Sequence, residues 1–336
     1  MKILITGGAG YVGSAALRYI AKQGHKVLAY DNLVEGHPKA VGDNPLVVGD
    51  IADTEKLTEA LKDFEADAVM HFAAATNVGE SVENPEYHYR NNIGGTLSLL
   101  CAMRDAGVKR MLFSSTSSTY GLTDKIPMAE DTPQQPMNPY ACSKMAVEWM
   151  IHDFAHAYGF GYTLLRYFNA CGADPSGEFG EYHDPETHII PRVLEVVLGQ
   201  RELFEVYGTD YPTSDGTCLR DYVHIDDLAQ AHLLAIEATG ENTRDVFNIG
   251  SGTGYTVNEV IESCERVTGS KIARKDGPRR PGDPVALVCD PTKLKTQLGW
   301  APEYNSIEGI IETAWAWHQK YPNGYPGGRH LPNKTA

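Results

Sequence analysis

The sequence predicts an α/β protein, a doubly wound parallel sheet of the Rossmann type with a smaller mixed α/β substrate-binding lobe. Two observations support this prediction. In the first half of the 336 residues, short apolar or β-branched runs alternate with amphipathic stretches, which is typical of a parallel sheet with right-handed crossovers. A glycine-rich turn directly follows the first apolar run, at the place where such folds bind a dinucleotide.

The apolar runs are short enough for buried strands, and the stretches between them have the length and periodicity of helices. The predicted strands are residues 2–6, 26–30, 46–48, 68–72, 110–114 and 162–166. The predicted helices are residues 13–23, 54–64, 87–106 and 139–158.

After about residue 170 the chain becomes rich in Gly, Pro and Asp, as expected of a loop-rich lobe. A helical stretch at 225–239 and a strand at 246–249 resemble the first half, so we expect the chain to return to the sheet there. The predicted domains are therefore a dinucleotide-binding domain of 1–170 together with 221–250, and a substrate-binding lobe of 171–220 together with 251–336.

The composition narrows the range of partners. The formal charge is −15, which disfavours nucleic acid or an anionic membrane as the main partner. No apolar run approaches the ~20 residues of a membrane span, and the six cysteines lie far apart without CxxC spacing. These features predict a cytoplasmic protein with reduced thiols, and the sequence suggests no metal site.

The turn after the first strand has the spacing Gly8-x-Gly10-x-x-Gly13, preceded by Gly7. Glycines permit the tight turn and let backbone N–H groups approach a pyrophosphate at the start of a helix. A glycine turn without any ligand is the alternative for this pattern alone. The next strand favours the dinucleotide site, because it ends in Asp31, 18 residues beyond Gly13.

A carboxylate at Asp31 would accept hydrogen bonds from the adenosine ribose and repel a 2′-phosphate, which favours NAD over NADP. Asp50 follows the third strand. Its carboxylate would either accept a hydrogen bond from the adenine amino group or cap the next helix. The fourth strand ends in Phe72-Ala73-Ala74, whose small residues would let the cofactor pass close to the backbone.

A candidate catalytic pair lies in "NPYACSK", where Tyr140 and Lys144 are four residues apart and share one helix face. A tyrosine of pKa ~10 is a poor base at neutral pH. We expect the Lys144 ammonium and the positive nicotinamide to lower that pKa. The pair is a stronger catalytic candidate because it lies about 25 residues after the hydroxyl-rich strand end "SSTSSTYG" at 114–121.

Taken together, these motifs resemble the extended short-chain dehydrogenase/reductases, and in particular their sugar-nucleotide epimerase branch. The likeness spans nearly the whole chain. It is carried by "TGGAGYVGS", "HFAAATNVGESVENP", "NNIGGT", "SSTSSTYG", "NPYACSK", "LRYFNACGADP", "THIIPRV", "YGTDYPTSDGTCLRDYVHIDDLA", "FNIGSG" and "RRPGDP".

The resemblance implies that NAD stays bound while a UDP-hexose is oxidised at C4, turns over as a 4-keto sugar and is reduced on its other face, which interconverts UDP-glucose and UDP-galactose. It implies that Tyr140, Lys144 and Thr116 are catalytic. The implied substrate-binding residues are Thr116, Tyr140, Asn169, His188, Arg220, Arg280 and Asp283. The implied cofactor-binding residues are Gly7, Gly10, Tyr11, Val12, Gly13, Asp31, Asn32, Asp50, Ile51, Phe72, Ala73, Ala74, Asn91, Ser114, Tyr140, Lys144 and Tyr167.

Several alternatives remain open. Most epimerases carry Ser at the position of Thr116. The extra methyl group of Thr116 restricts its rotamer, so Ser115 is a second candidate for the same role. The alternative to a diphosphate contact for Arg220 is a structural ion pair with Asp221 or Asp226. Leu287 lies where the family selects between hexoses and N-acetylhexosamines, so UDP-N-acetylhexosamines or UDP-pentoses are alternative substrates. Thr76 lies at a position where some family members have a Lys near the phosphate.

Two other kinds of protein are less consistent with the sequence. Related dehydratases carry Asp and Glu at the positions of Ser117 and Ser118, so chemistry at C5 is disfavoured. A non-catalytic NAD-sensing protein would have no reason to keep Thr116, Tyr140 and Lys144 together. By resemblance, the helices at 87–106 and 139–158 predict a homodimer.

Overall fold

The computed structural model describes residues 1–280 and 283–327. Its strands are β1 (Lys2–Thr6), β2 (Lys26–Asp31), β3 (Leu46–Val48), β4 (Ala68–His71), β5 (Arg110–Thr116), β6 (Gly161–Tyr167), β7 (Asn169–Cys171), β8 (Phe204–Tyr207), β9 (Leu219–His224), β10 (Arg244–Ile249), β11 (Gly254–Thr256), β12 (Arg274–Gly277) and β13 (Ala286–Leu287). Its α-helices are α1 (Tyr11–Lys22), α2 (Thr54–Phe64), α3 (Val78–Glu83), α4 (Pro85–His88), α5 (Gly95–Ala106), α6 (Pro139–Tyr158), α7 (Ile189–Val197), α8 (Ile225–Ala238), α9 (Val257–Thr268), α10 (Thr292–Leu298) and α11 (Ile307–Lys320).

The main sheet has seven strands in the order β10-β6-β5-β4-β1-β2-β3, and every neighbouring pair is parallel. The chain builds outward from β1 to β3 and then resumes at β4 on the other side of β1. The carboxyl ends of β1 and β4 therefore flank the point where strand order reverses, which is where open α/β sheets bind ligands. The predicted fold class is confirmed.

Both faces of the sheet are covered, as an all-parallel sheet requires. Successive residues of β1 alternate between the two faces: Ile3 and Ile5 pack with α1 and α8, and Leu4 packs with α2, α5 and α6. Each fully buried side chain of this kind contributes about 1.5–3 kcal/mol to folding. The two apolar layers fix the strand ends that carry the candidate site.

The smaller lobe packs α7, α9 and α11 together with β7, β8 and β9 around a separate apolar core. In this lobe β9 pairs with β7, β11 and β13, and β8 pairs with β12. The connection from β6 through β7 leads directly from the main sheet into this lobe. Residues that follow β6 are therefore placed at the boundary between the two units.

More of the chain returns to the main domain than the predicted stretch of 221–250. We expected the 225–239 helix and the 246–249 strand in the main domain, and α8 and β10 lie there. However, Leu294 of α10 and Trp300 also belong to the α1 and α8 layer, although the sequence assigned them to the lobe. The Trp300 indole donates to the Asp227 carbonyl at 2.9 Å, a long-range contact that no local pattern indicates.

The predicted helix at 87–106 is wrong as a single element. The chain forms α4, then a π-helical segment at Tyr89–Gly94, and then α5. The wider turn places Asn92 in the interior, where it bonds the strand end after β4. Among the described residues, no helix combines the length and apolar character of a membrane span.

Candidate active site

The glycine-rich loop lies directly against the end of β4. Gly7 has φ +71°, and a Cβ built on it would lie 2.5 Å from the Ala73 nitrogen. A Cβ on Gly13 would lie 2.2 Å from the Gly7 carbonyl oxygen. Both contacts exclude any side chain, so these two glycines let α1 begin immediately beside the loop.

The first turn of α1 is open to an anion. Within residues 1–280 and 283–327, no side chain caps this helix at Gly10, and its first turn holds no acidic residue. The N–H groups at the start of a helix have no partner within it and carry the positive end of its dipole. The Tyr11 hydroxyl donates to the Gly172 carbonyl at 2.7 Å, which ties this turn to the smaller lobe.

Asp31 ends β2 beside the loop. Its carboxylate accepts from the Ala9 amide at 3.0 Å and from the Leu33 amide at 2.8 Å. Burial raises its pKa, and these two backbone N–H groups act in the opposite direction. The carboxylate is therefore held in one orientation and retains lone pairs for ribose hydroxyls.

Asp50 has a different local role from the helix cap we considered. It accepts from the Asn32 side chain at 2.9 Å and from the Ala52 amide at 2.8 Å. The cap of α2 is Asp53, whose carboxylate accepts from the Lys56 amide at 3.0 Å. The capping alternative for Asp50 is wrong, and its exposed carboxylate lies next to Asn32 at the end of β2.

Asn92 is a site residue that sequence reasoning missed. Its side chain accepts from the Ala75 amide at 2.8 Å and donates to the Ala75 carbonyl at 3.0 Å and the Ser143 hydroxyl at 2.9 Å. It thus joins the strand end after Phe72-Ala73-Ala74 to α6. The predicted Asn91 lies beside it and donates to it at 2.9 Å.

The start of α6 positions the candidate catalytic pair. Asn138 caps the helix by accepting from the Ala141 amide at 2.9 Å, and Pro139 occupies the first turn. Lys144, one turn beyond Tyr140, is buried and donates to the Ser114 carbonyl at 2.8 Å. Burial lowers the pKa of Lys144 to about 7, against the opposing charge of Glu148.

The Tyr140 hydroxyl meets the strand end opposite. Burial raises its pKa, the neighbouring Tyr167 adds to that increase, and a hydrogen bond with Thr116 lowers it. Lys144 is not a cause of this shift, because its own pKa is lowered to about 7 and it is neutral at the higher pH at which Tyr140 ionises. In the protein alone, the expected lowering of the Tyr140 pKa by Lys144 therefore does not occur. Tyr167 itself is hydrogen-bonded to Ser114, with 2.5 Å between the hydroxyl oxygens.

Ser115 points to the other side of the strand. Its hydroxyl donates to Glu148 at 2.5 Å, and Glu148 forms a buried ion pair with Arg166. Arg166 in turn donates to the Tyr120 hydroxyl at 3.1 Å. Strand alternation separates Ser115 from the Tyr140 side, so the structure places Thr116 alone of these two beside Tyr140.

The remaining predicted substrate residues lie on the lobe. Asn169 donates to the Asp221 carbonyl at 2.7 Å. The Arg220 guanidinium pairs with Asp283 at 2.5 Å, and Arg280 stacks 4.1 Å above the Tyr207 ring. Pro281 and Gly282 of the "RRPGDP" motif lie outside the described residues.

The alternative ion pair of Arg220 with Asp221 or Asp226 is wrong. Asp221 is buried and its carboxylate accepts from the amides of Ser251, Gly252 and Cys289 at 2.8–3.0 Å. Arg220 instead bonds Asp283 and the Pro284 carbonyl, which lie just before β13, and Leu287 of β13 pairs with Arg220 in parallel register. Leu287 packs with Tyr120 and Phe168, at the base of the lobe.

His188 belongs to a cluster that the sequence did not reveal. Its Nδ1 lies 2.8 Å from Glu181 and 3.2 Å from Glu186, and His183 lies 3.4 Å from both carboxylates. The two carboxylates raise the pKa of His183 to about 9 and that of His188 well above its usual value. The spacing Glu-x-His-x-x-Glu-x-His was the available signal.

Comparison with known proteins agrees with this geometry. Residues 3–250 match the model of the "NAD dependent epimerase/dehydratase family". The chain belongs to this family. It is 48% identical to the UDP-glucose 4-epimerase of Halalkalibacterium halodurans, covering 97% of this chain and 98% of that protein. The predicted family is therefore confirmed.

Solved structures give the same result for the fold. The structure of UDP-glucose 4-epimerase from Brucella ovis in complex with NAD has 46% identity and a TM-score of 0.91, covering 94% of this chain and 97% of that chain. The enzyme from Bifidobacterium longum, in complex with NAD⁺ and UDP, has 35% identity and a TM-score of 0.92, covering 97% and 100%.

The cradle described above fits the cofactor of this family. A dinucleotide needs a close backbone approach, an uncapped helix start and an acidic residue for the ribose. These are supplied by Gly7 and Gly13, by the first turn of α1, and by Asp31. The chain is NAD-dependent, as predicted.

Proposed function

We propose that this chain interconverts UDP-glucose and UDP-galactose by reversible oxidation at C4 of the sugar. The observation that carries the proposal is the placement of the Thr116 hydroxyl beside the buried Tyr140, close enough to lower the pKa of the tyrosine, next to the buried Lys144 at the carboxyl ends of the central strands. The relatives named above support the same activity. A hydroxyl pair of this kind is suited to one task, the removal and return of a proton at a sugar hydroxyl.

The cofactor is the electron acceptor in this proposal. NAD, when bound, supplies a reversible acceptor for the hydrogen and electron pair of C4. We propose that the glycine loop and α1 hold its pyrophosphate, Asp31 and Asn32 its ribose, and Asp50 and Ile51 its adenine. Residues Phe72, Ala73, Ala74, Asn91, Ser114 and Tyr167 would line the remainder, together with Lys144.

Tyr140 acts in this proposal as the base and then the acid at the 4-hydroxyl. The Thr116 hydroxyl lies beside Tyr140, where it lowers the pKa of the tyrosine, and it would bond the sugar 4-oxygen in the same place and guide the proton to Tyr140. Tyr140 is neutral in the protein alone, because burial raises its pKa. The positive charge of the bound cofactor would favour its ionised form.

Lys144 supports this step through a fixed position. Its ammonium is held by the Ser114 carbonyl, directly below the strand end that carries Thr116. With a pKa lowered to about 7, it retains an appreciable neutral fraction at neutral pH. We propose that it bonds the nicotinamide ribose and assists proton exchange with Tyr140.

The nucleotide is held by the lobe in this proposal. Arg220 and Arg280 would neutralise the diphosphate, since guanidinium groups match phosphate oxygens in a planar fork. Asp283 would hold the uridine ribose, and Asn169 the nucleotide-sugar. His188, with about half of its side chain exposed, has an open ring edge for a phosphate or hydroxyl.

Ser117 and Ser118 favour epimerisation over water removal, because neither carries a carboxylate for acid or base chemistry at C5. Leu287 is partly buried between Tyr120 and Phe168 and leaves UDP-N-acetylhexosamines or UDP-pentoses as alternative substrates. Thr76 is exposed at the strand end after β4.

The proposed reaction is tested by incubating the purified protein with UDP-galactose and measuring UDP-glucose, first without added NAD and then with it. We expect conversion toward an equilibrium mixture. Replacement Tyr140→Phe should lower kcat by about 100- to 10,000-fold, as for loss of a general base, with retained binding of UDP. Absence of product from the wild type in the presence of NAD would overturn the proposal.

We further propose that the chain is a cytoplasmic homodimer. Leu97 of α5 is 46% exposed and Trp149 of α6 is 59% exposed, and side chains of this size on adjacent helices favour association. Size-exclusion chromatography with light scattering should show twice the chain mass for the wild type and the monomer mass for Trp149→Glu. A monomeric wild type would contradict the dimer.

A further inference from the structure

The segment between β7 and α7 gathers four metal-ligating side chains outside the proposed catalytic centre. Glu181, His183, Glu186 and His188 each offer one ligand atom, and all four atoms lie within 4.8 Å of one another. The chemistry proposed above uses neither carboxylate nor His183. These residues therefore need a separate explanation.

Their separations match a metal coordination shell. The imidazole Nδ1 atoms lie 2.8 and 3.4 Å from Glu181 and 3.2 and 3.4 Å from Glu186. Around a tetrahedral zinc ion with bonds of 2.0–2.2 Å, neighbouring ligand atoms lie roughly 3.3–3.5 Å apart. These four separations lie near those values, and every pair of the four ligand atoms lies within 4.8 Å, so the group is compact enough to close around one ion.

Two of the donors lack a hydrogen bond of normal geometry to any described residue. These donors are the Glu181 Oε1 atom and the His183 Nδ1 atom, and both are buried. Each nevertheless lies within ion-pair distance of another cluster member. Glu181 as a whole is 3% exposed. These two buried donor atoms are therefore available to a bound cation.

The surrounding cleft offers an entry path with polar walls. It is lined by Glu181, His183, Glu186 and His318, among others. The Nε2 atom of His318, on α11, is also buried without a hydrogen bond to any described group. The cleft thus contains a second unsatisfied imidazole besides His183, which favours a cation or a cation with bound water.

The charge of the cluster favours a dication. Two buried carboxylates are costly unless they are paired with positive charge. In the metal-free protein two protonated imidazoles supply this charge. One divalent ion with two neutral imidazoles would replace both protons, balance the same carboxylates and satisfy all four donors at once. Mixed nitrogen and oxygen donors favour zinc or a similar transition metal, whereas calcium requires six to eight oxygen ligands.

We propose that Glu181, His183, Glu186 and His188 bind one divalent transition-metal ion of the zinc class. The site shares only His188 with the substrate contacts proposed above, and the bound metal goes beyond the proposed reaction. The His183 ring lies 6.2 Å from the Tyr11 ring, edge to face, so the ion would fix the segment before α7 against the start of α1.

The test uses the full chain, stripped with a chelator and dialysed against low-micromolar Zn²⁺, with bound metal measured by mass spectrometry. Three variants are compared with the wild type: His183→Asn, Glu186→Gln and the matched control Glu195→Gln. Glu195 lines the same cleft but pairs with Arg201 at 3.0 Å, so its variant removes an equal charge without removing a donor.

We expect about one zinc ion per chain in the wild type and in Glu195→Gln. In His183→Asn and Glu186→Gln, affinity should fall at least tenfold, as for loss of one ligand. Zn²⁺ should raise the Tm of the stripped wild type, and Ca²⁺ at the same concentration should not. A stripped wild type that takes up no zinc, or ligand variants that retain full stoichiometry, would overturn the proposal. The wild-type titration decides the matter even if a variant fails to fold.

Discussion

The ammonium group of Lys144 donates to the carbonyl oxygen of Ser114 at 2.8 Å, which anchors helix α6 to the end of β5. The contact holds the lysine under the strand end that presents Thr116 to Tyr140. It also leaves a buried cation without a carboxylate in direct contact, which lowers the Lys144 pKa to about 7. Lys144 is therefore well positioned for catalysis, but its buried charge destabilises the cofactor-free protein.

The first prediction concerns the stability of Lys144→Met. The folded pKa of about 7 lies below the ordinary value of 10.5, so between these values the unfolded chain binds the extra proton. The lysine then destabilises the fold fully below pH 7, and this cost disappears as the pH rises toward 10.5. We expect the cofactor-free variant to be about 1–3 kcal/mol more stable than the wild type at pH 7, although its epimerase rate falls.

Urea unfolding of both proteins at pH 7, 8 and 9 measures this difference. The advantage of Lys144→Met should decrease steadily as the pH rises. An advantage that is constant across these values, or a variant less stable at pH 7, would show that burial does not depress this pKa.

The second prediction separates two neighbouring hydroxyls. Thr116 lies beside Tyr140 and lowers its pKa, whereas Ser115 bonds Glu148 on the other side of the strand. Thr116→Val should lower kcat about 10- to 100-fold, because a charge-assisted hydrogen bond at the reacting oxygen is lost. Ser115→Ala should cost about 1 kcal/mol of unfolding free energy and leave kcat within about twofold.

Thr116→Ser is the control, because it keeps the hydroxyl and removes only the methyl group that restricts the rotamer. Its kcat should stay near that of the wild type. Steady-state rates with UDP-galactose and urea unfolding of the same preparations are the measurements. A larger rate loss in Ser115→Ala than in Thr116→Val would assign the catalytic role to Ser115.

The third prediction concerns the glycine loop. A Cβ at Gly13 would lie 2.2 Å from the Gly7 carbonyl, so Gly13→Ala must displace the loop that forms the cofactor cradle. Bound NAD, released by denaturation and measured by chromatography, should fall at least tenfold per chain. Gly94→Ala is the matched control: Gly94 has φ −62°, and no atom lies within 4 Å of its added Cβ. A Gly13→Ala protein with full NAD content would contradict this role of the loop.

The parts of the fold that sequence predicts well are those set by local chemistry. The glycine turn, Asp31 at the strand end and the Asn138-Pro139 helix start follow from backbone geometry and capping. The predicted α2 and α6 agree with the observed bounds. The wider turn at Tyr89–Gly94 was missed because it is only six residues long, too short to stand out within a longer helical pattern.

Long-range polar contacts explain most of the remaining differences. Asn92 reaches Ala75 and Ser143, and Glu148 reaches Arg166, across separations that no spacing rule covers. The partner of Arg220 was likewise 63 residues away, not among its neighbours. A sequence pattern shows which residues can pair, but only the packed structure shows which of them do.

The fourth prediction concerns Arg220, which reaches both Asp283 and the Pro284 carbonyl in the protein alone. A diphosphate is present in the substrate and unchanged in the transition state, so an arginine that holds it contributes to both states equally. Arg220→Gln should therefore raise KM for UDP-galactose about 10- to 100-fold with kcat within about threefold. Arg279→Gln is the control, because Arg279 pairs with the exposed Asp210 and should leave KM unchanged. If Arg220→Gln lowered kcat and left KM unchanged, Arg220 would act on the reacting sugar and not on the nucleotide.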